Sequence, residues 1–242
     1  MIEVLYKEVN NFFNSLTAYI VVAVFLTTIG LLMWVFPETN VLVYGFADME
    51  TLFRLGPYVF MFLVPAITMR MFSEEKKSGT IEILFTRPLN DYQIILGKYF
   101  ASVVLILFSL APTLLYYYSI YQLGSPQGNI DTAGVIGSYI GITLLGCVFA
   151  SIGLLSSSLT ENQVVAFIIS VFLSFIFYDG FQSLAGINAW SMIASLLQKL
   201  SISYYYNDLS RGLIDVGSII YFLSVIAFMI LLTKLVTGSR KW

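Results

Sequence analysis

The residues that could carry chemistry in this sequence are concentrated in one polar stretch, residues 70–99. It holds five of the twelve Lys and Arg residues, namely Arg70, Lys76, Lys77, Arg87 and Lys98, and apolar sequence flanks it on both sides. A polar stretch between two apolar spans must leave a membrane and return to it. Its charges are suited to binding and orienting a partner. A solvated charged loop is the simpler interpretation, and the spacing of the charges leaves both open.

Catalytic chemistry finds little support elsewhere. The sequence has no His, which excludes His-based acid/base catalysis and His metal sites. Its one Cys, Cys147, lies in an apolar run, so no intrachain disulfide or Cys metal cluster can form. Gly97-Lys98 lacks the earlier Gly and the following Ser or Thr of an ATP-binding loop. The serines at 156–158 lack a His that could activate them, and packing between helices is their expected role. We therefore predict a chain that is not an enzyme and binds no cofactor.

The composition predicts an integral membrane protein. Hydrophobic residues make up 58% of the chain and charged residues 11%, against about 25% charged residues in soluble domains. Six apolar runs suit helices that cross about 30 Å of hydrocarbon. They lie at residues 17–36, 56–72, 99–120, 132–158, 163–181 and 216–234. We predict an all-α polytopic membrane protein with one domain, residues 1–242.

The charge-free centres of these runs disfavour a proton- or ion-coupled carrier. Asp179, at the outer end of the fifth run, is the nearest candidate for a coupling charge, and we expect it to stay in water. The basic residues set the orientation. On one side lie Lys7, the five of the 70–99 stretch, Lys234, Arg240 and Lys241, against Arg54, Lys199 and Arg211 on the other. The excess of nine basic residues over three predicts that the loop at 73–98 and both termini lie in the cytoplasm.

Three further segments are predicted at the membrane surfaces. Residues 1–16 place apolar side chains at helical spacing opposite polar ones that include Glu3, Lys7 and Glu8, which predicts a retained amphipathic helix on the membrane. Residues 182–215 are too polar to cross, and we expect one or two helices that line an exit path or cap the outer surface. Tyr116, Tyr117, Tyr118 and Tyr121 are expected to form an aromatic belt at the outer interface.

The loop itself has an internal pattern. Gly79 interrupts it and Pro88 ends the next piece, and between them Ile81, Leu84 and Phe85 share one face of a short helix. After Pro88, Asn90 and Gln93 have the spacing of a helix-capping box. A short amphipathic helix held on a membrane loop is an element that a partner protein could push. Leu84 and Phe85 could instead lie on the lipid surface.

This loop resembles that of the permeases of ABC-2-type transporters. The resemblance rests on EEKKSGTIEIL at 74–84, RPL at 87–89, GK at 97–98 and the turn SSSLTENQ at 156–163. It is closest to permease subunits associated with gliding motility and runs the length of the chain. It implies the six-helix ABC-2 (type V exporter-like) permease fold with an N-terminal interfacial helix and a cytoplasmic coupling helix at 80–86.

The resemblance also implies partners and contact residues. A separate cytoplasmic ABC ATPase, which holds ATP and Mg, would bind the loop, and the membrane unit would be completed by a second membrane subunit or a second copy of the chain. The predicted ATPase-contacting residues are Glu74, Glu75, Gly79, Thr80, Ile81, Glu82, Leu84, Phe85, Arg87 and Pro88. The apolar ones would seat in a groove on the ATPase and the charged ones, together with Lys76 and Lys77, would lie at its rim.

Small residues in the fourth run predict close helix packing without identifying the neighbour. They are Gly137, Gly141 and Gly146. The sequence therefore predicts the permease subunit of an ABC exporter in a bacterial cytoplasmic membrane, in contact with lipid and with no role for nucleic acid. The alternative is an anchor that docks an ATPase within a larger machine without moving a substrate.

Overall fold

The computed structural model describes residues 1–81, 90–186 and 193–238, and the regular elements within these ranges are all helices. In chain order they are α1 (Ile2–Phe13), α2 (Leu16–Trp34), α3 (Val41–Tyr44), α4 (Glu50–Thr68), α5 (Arg70–Lys77), α6 (Asp91–Leu110), α7 (Leu114–Leu123), α8 (Thr132–Leu159), α9 (Gln163–Phe175), α10 (Phe181–Ala185), α11 (Ala194–Leu200), α12 (Ile202–Leu209) and α13 (Val216–Gly238). The predicted all-α fold class is confirmed.

Among the described residues, six stretches are long and apolar enough to cross a membrane, as predicted. They are span 1 (Leu16–Trp34), span 2 (Glu50–Lys77), span 3 (Asp91–Leu123), span 4 (Thr132–Leu159), span 5 (Gln163–Ala185) and span 6 (Val216–Gly238). Spans 2, 3 and 4 form the core, because 61%, 61% and 67% of their apolar stretches are buried, against 22% in each of the other three. Spans 1, 5 and 6 therefore present most of their surface outward.

Three of the spans are interrupted by short irregular turns. Span 2 contains Pro57 and Pro65 within α4, and the helix breaks at Met69 before α5 begins. Since Pro lacks an N–H, it weakens the helical hydrogen bonding of the turn that contains it. Span 3 has a 3-10 turn at Ala111–Thr113, and span 5 has a π-helical turn at Ile176–Gly180 that contains Asp179.

The N-terminal helix α1 packs along α6, the first part of span 3. Its Val4 and Glu8 are buried, whereas Ile2 and Tyr6 are 74% and 67% exposed. A Cβ at Gly97 of α6 would lie 3.0 Å from the Cβ of Val4, so the two helices can approach this closely because residue 97 is Gly. The predicted helix is present. The sequence pattern places Glu8 on the side that faces water, but in the structure Glu8 faces the protein.

The segment between spans 5 and 6 contains helices of two kinds. Helix α12 packs on span 4, and its buried Tyr206 donates a hydrogen bond of 2.7 Å to the carbonyl of Phe53. Burial raises the pKa of Tyr206 well above its ordinary value, so the phenol keeps the proton that it donates. Helix α11 has no buried residue, and Leu196 and Leu200 are exposed on it. Residues 187–192 of this predicted segment lie outside the described residues.

Candidate functional site at the base of the polar loop

Helix α5 leads into the polar loop and α6 leads out of it. Gly79 has a φ of +70°, a left-handed conformation that Gly adopts without strain, and it ends α5 as predicted. On the other side, the backbone N–H of Asn90 donates to Oε1 of Gln93 at 3.2 Å, which completes the predicted capping box of α6. Between these points Thr80 and Ile81 have helical backbone. The predicted contact residues Glu82, Leu84, Phe85, Arg87 and Pro88 lie outside the described residues.

A cluster of four charged side chains joins the two ends of this loop. Nζ of Lys98, on α6, lies 2.7 Å from Oε1 of Glu8 and 2.9 Å from Oε2 of Glu75, which is on α5. Nζ of Lys7 lies 2.7 Å from the other oxygen of Glu75 and 3.8 Å from Oε1 of Glu8. We call Lys7, Glu8, Glu75 and Lys98 the ion cluster. It links α1 to α5 and α6, although 68 residues separate Lys7 from Glu75 and 90 separate Glu8 from Lys98.

The ion cluster is electrically balanced and largely shielded from water. The Lys98 side chain is 0% exposed and each Glu side chain is 11% exposed, whereas that of Lys7 is 49% exposed. A buried ammonium group is costly unless it is paired and hydrogen-bonded. Lys98 meets both requirements, because it also donates to the carbonyl of Met71 at 2.6 Å and lies 5.1 Å from the ring centroid of Phe72. The cluster therefore fixes α6 against both other helices.

Three of the residues predicted at the ATPase contact are buried within the described part of the chain. Glu75 and Lys76 were expected at the rim of an ATPase contact, but both are buried within the chain. Glu75 belongs to the ion cluster, and the Lys76 ammonium donates to the carbonyl of Ser158 on α8. Ile81 is 5% exposed and belongs to the apolar core. Glu74 and Thr80 are exposed.

The break between α4 and α5 is held by span 4. Oγ of Ser157 accepts hydrogen bonds from the backbone N–H groups of Phe72 at 2.9 Å and Ser73 at 3.1 Å, and it donates to the carbonyl of Met69 at 3.0 Å. One turn earlier on α8, a Cβ at Gly153 would clash with the hydroxyl of Thr68. One face of α8 thus supports the point where span 2 changes direction and leads to the loop.

The predicted packing glycines lie along the same helix. A Cβ at Gly137 would lie 2.6 Å from the carbonyl oxygen of Gly212, and one at Gly141 would lie 2.7 Å from Cβ of Leu209, at the end of α12. A Cβ at Gly146 would lie 2.9 Å from Cγ2 of Ile106 in span 3. Span 4 is therefore in close contact with the outer segment at one end and with the base of the loop at the other.

Sequence reasoning missed Glu8 and Lys98 as members of the site. Glu8 follows Val4 by one helical turn, and both lie on the buried face of α1. A buried carboxylate indicates a cation nearby, but the sequence pattern assigns Glu8 to the polar side of α1 and does not signal its burial. Its partner could not be identified from the sequence either, because 90 residues separate Glu8 from Lys98.

A protein-family model described as ABC-2 family transporter protein matches residues 38–236, which is most of the chain. The chain belongs to this family. No curated protein matches it.

The residues matched by the ABC-2 family model include one part of the ion cluster and leave out the other. ABC-2 permeases are membrane components of transporters and lack ATPase motifs, and the family implies a cytoplasmic ABC ATPase as partner. The match begins after span 1, so α1 with its Lys7 and Glu8 lies outside the matched residues while Glu75 and Lys98 lie within them. The ion cluster thus joins the N-terminal helix to the part of the chain that defines the family.

Proposed function

We propose that this ABC-2 family protein is the permease subunit of an ATP-driven exporter in a bacterial cytoplasmic membrane. In this proposal the loop after span 2 receives the separate ATPase and conveys its movement to the spans. The observation that carries the proposal is the ion cluster, which binds the helix entering the loop to the helix leaving it. A force on the loop would then act on α5 and α6 together, as a force on one rigid base.

The contacts of α5 support such a transfer. On one side α5 joins α4 through the break at Met69, and on the other it is tied to α6 and α1 by Glu75. A helix break is a joint at which two rigid pieces can change angle. The hydrogen bonds of Ser157 hold this joint against span 4. Movement of the loop would therefore reach spans 2, 3 and 4, which form the core.

The resemblance of the sequence to the gliding-motility permease GldF refines the proposal. It suggests a GldA-like ATPase that holds ATP and Mg, and a GldG-like membrane subunit or a second copy of this chain as the other half of the unit. The chain itself would bind no cofactor. The sequence motif that carries the ATPase contact is the apolar face with Leu84 and Phe85.

Leu84→Asp tests the coupling. Replacing an apolar anchor in a groove by a charge should weaken ATPase binding by more than about tenfold, because such anchors contribute about 2 kcal/mol or more. The measurement is co-purification of the ATPase from detergent-solubilised native membranes, together with its ATP hydrolysis. Leu42→Asp is the control, since Leu42 is 60% exposed on α3 and outside the loop.

The outcomes separate the proposal from its alternative. Loss of the ATPase in the Leu84 variant, with the Leu42 variant unchanged, supports a docking loop. Undiminished co-purification and undiminished coupled activity of the Leu84 variant would contradict it. If the ATPase binds but chemical crosslinks between the paired membrane subunits leave activity intact, the anchor is the better assignment, because a permease must open a route between its subunits.

A further inference from the structure

A cleft with a volume of 540 Å³ opens between α1, α4 and α5, beside the ion cluster. Its charged lining includes Lys7, Arg70 and Glu74, and its apolar lining includes Phe12 of α1 and Ala66 and Ile67 of span 2. Ser15, which precedes span 1, and Thr17, in its first turn, also border the cleft. The cleft therefore combines charged residues at the base of the loop with apolar residues of α1 and span 2.

Two opposite charges in this cleft lack a partner within the described parts of the chain. Lys7, Glu8 and Glu75 are engaged in the ion cluster. Arg70 and Glu74 form no ion pair with any described residue, although both line the cleft. Nε of Arg70 is buried and has no hydrogen-bond partner among these residues. A buried guanidinium donor without an acceptor is a site at which an anionic oxygen would be stabilised.

The spacing of the two charges limits what can bind. Arg70 and Glu74 are four residues apart on α5, which places their Cβ atoms about 5–6 Å apart on one face. A ligand that satisfies both must carry an anionic group and a cationic group that are joined by a short link. The phosphate and ammonium of a phosphoethanolamine headgroup are joined by a two-carbon link and meet this requirement.

We propose that the cleft binds a membrane phospholipid with a phosphoethanolamine headgroup. The phosphate accepts hydrogen bonds from Arg70, the ammonium donates to Glu74, and the acyl chains follow Phe12, Ala66 and Ile67 toward the hydrocarbon. The carboxylate of Glu74, which forms no ion pair with a described residue, makes the cleft unfavourable for a headgroup with only negative charge. The bound lipid would fasten α1 to the base of the loop beside the ion cluster.

The test uses the full purified chain, delipidated in detergent and titrated with phosphatidylethanolamine or phosphatidylglycerol of identical acyl chains. Native mass spectrometry counts the bound lipid. We expect phosphatidylethanolamine to bind several-fold more tightly. Arg70→Gln should weaken the binding of both lipids at least tenfold, and Glu74→Gln should abolish the preference between them. The controls are Lys77→Gln and Glu3→Gln, which change charge at exposed positions on α5 and α1 that do not line the cleft.

Three results would overturn the proposal. They are equal binding of the two lipids to the unaltered chain, an effect of Lys77→Gln as large as that of Arg70→Gln, and binding of soluble phosphoethanolamine as tight as that of the lipid. The last would identify a small-molecule site in place of a lipid site. If Arg70→Gln does not fold, the Glu74→Gln variant provides the test, because Glu74 is exposed. A preference for phosphatidylethanolamine over phosphatidylglycerol that survives Glu74→Gln contradicts the assigned headgroup.

Discussion

At the scale of single residues, the ion cluster depends on the balance between the cost of burying charge and the gain from pairing it. Lys98 is completely buried, and its ammonium would be unstable there without Glu8, Glu75 and the Met71 carbonyl. Replacing a whole buried ion pair by apolar residues is often neutral, whereas removing one partner leaves an uncompensated charge. Comparing the removal of one partner with the replacement of a whole pair therefore distinguishes the contribution of charge pairing from that of side-chain packing.

Lys98→Met should destabilise the protein by about 3–5 kcal/mol, because it leaves two carboxylates with Lys7 alone. The double variant Lys98→Met/Glu8→Gln should recover part of this loss by removing one of the stranded charges. Thermal unfolding in a fixed detergent measures both effects. Lys77→Met is the control, since Lys77 is an exposed lysine on α5. A Lys98 variant that is no less stable than the Lys77 variant would show that the cluster contributes nothing to stability.

The same residues show where sequence reasoning succeeds. Gly79 and the capping box of Asn90 and Gln93 follow from interactions within a few residues, so local pattern predicted them correctly. The pairs of Lys98 with Glu8 and Glu75 depend on which helices pack together. Spacing along the chain contains no information on that choice, so the burial of Glu75 in the ion cluster does not follow from the sequence.

At the scale of helices, the junction of α4 and α5 depends on a close approach of α8. The hydroxyl of Thr68 occupies the space next to Gly153, and the hydroxyl of Thr68 itself donates to the Val64 carbonyl at 2.9 Å. Stripes of small residues predict that a helix packs closely but not against which neighbour. For this reason the sequence predicts close packing at Gly137, Gly141 and Gly146 without identifying their neighbours, and it does not single out Gly153.

Gly153→Ala should cost about 1–3 kcal/mol of stability, since the added methyl group must push α8 away from Thr68. Gly238→Ala is a matched control, because nothing lies within 4 Å of a Cβ at that position. Alanine favours the helix over glycine, so the control should be neutral or slightly more stable. Adding Thr68→Ala to Gly153→Ala should restore part of the loss. Equal thermal unfolding of the two glycine variants would contradict the assigned contact.

At the scale of the whole molecule, the number of spans was predictable because hydrophobic length alone determines it. The division into a buried set of spans 2, 3 and 4 and an exposed set of spans 1, 5 and 6 was not, because all six sequences are similarly apolar. The helices also extend beyond the apolar runs, and span 3 begins at Asp91, so it includes Lys98. The exposed spans provide the surface that faces lipid.

The arrangement of the ends leads to a prediction about orientation. Lys7 contacts Glu75 at one end of the molecule, and Nζ of Lys234 lies 4.1 Å from the ring centroid of Tyr92, so both α1 and the end of α13 lie beside the loop. Because basic residues concentrate at this end, the positive-inside rule places it in the cytoplasm. The turn at Gln127, between spans 3 and 4, would then face the outside.

Single cysteines at the two ends test this orientation. In a Cys147→Ser background, which removes the one native thiol, Gln127→Cys should react with a membrane-impermeant maleimide in spheroplasts. Ser78→Cys should react only after permeabilisation, and both positions are exposed in the structure. The background variant without a new cysteine shows the unspecific signal. Labelling of Ser78→Cys in intact spheroplasts with protection of Gln127→Cys would invert the topology, and the loop could not then meet a cytoplasmic ATPase.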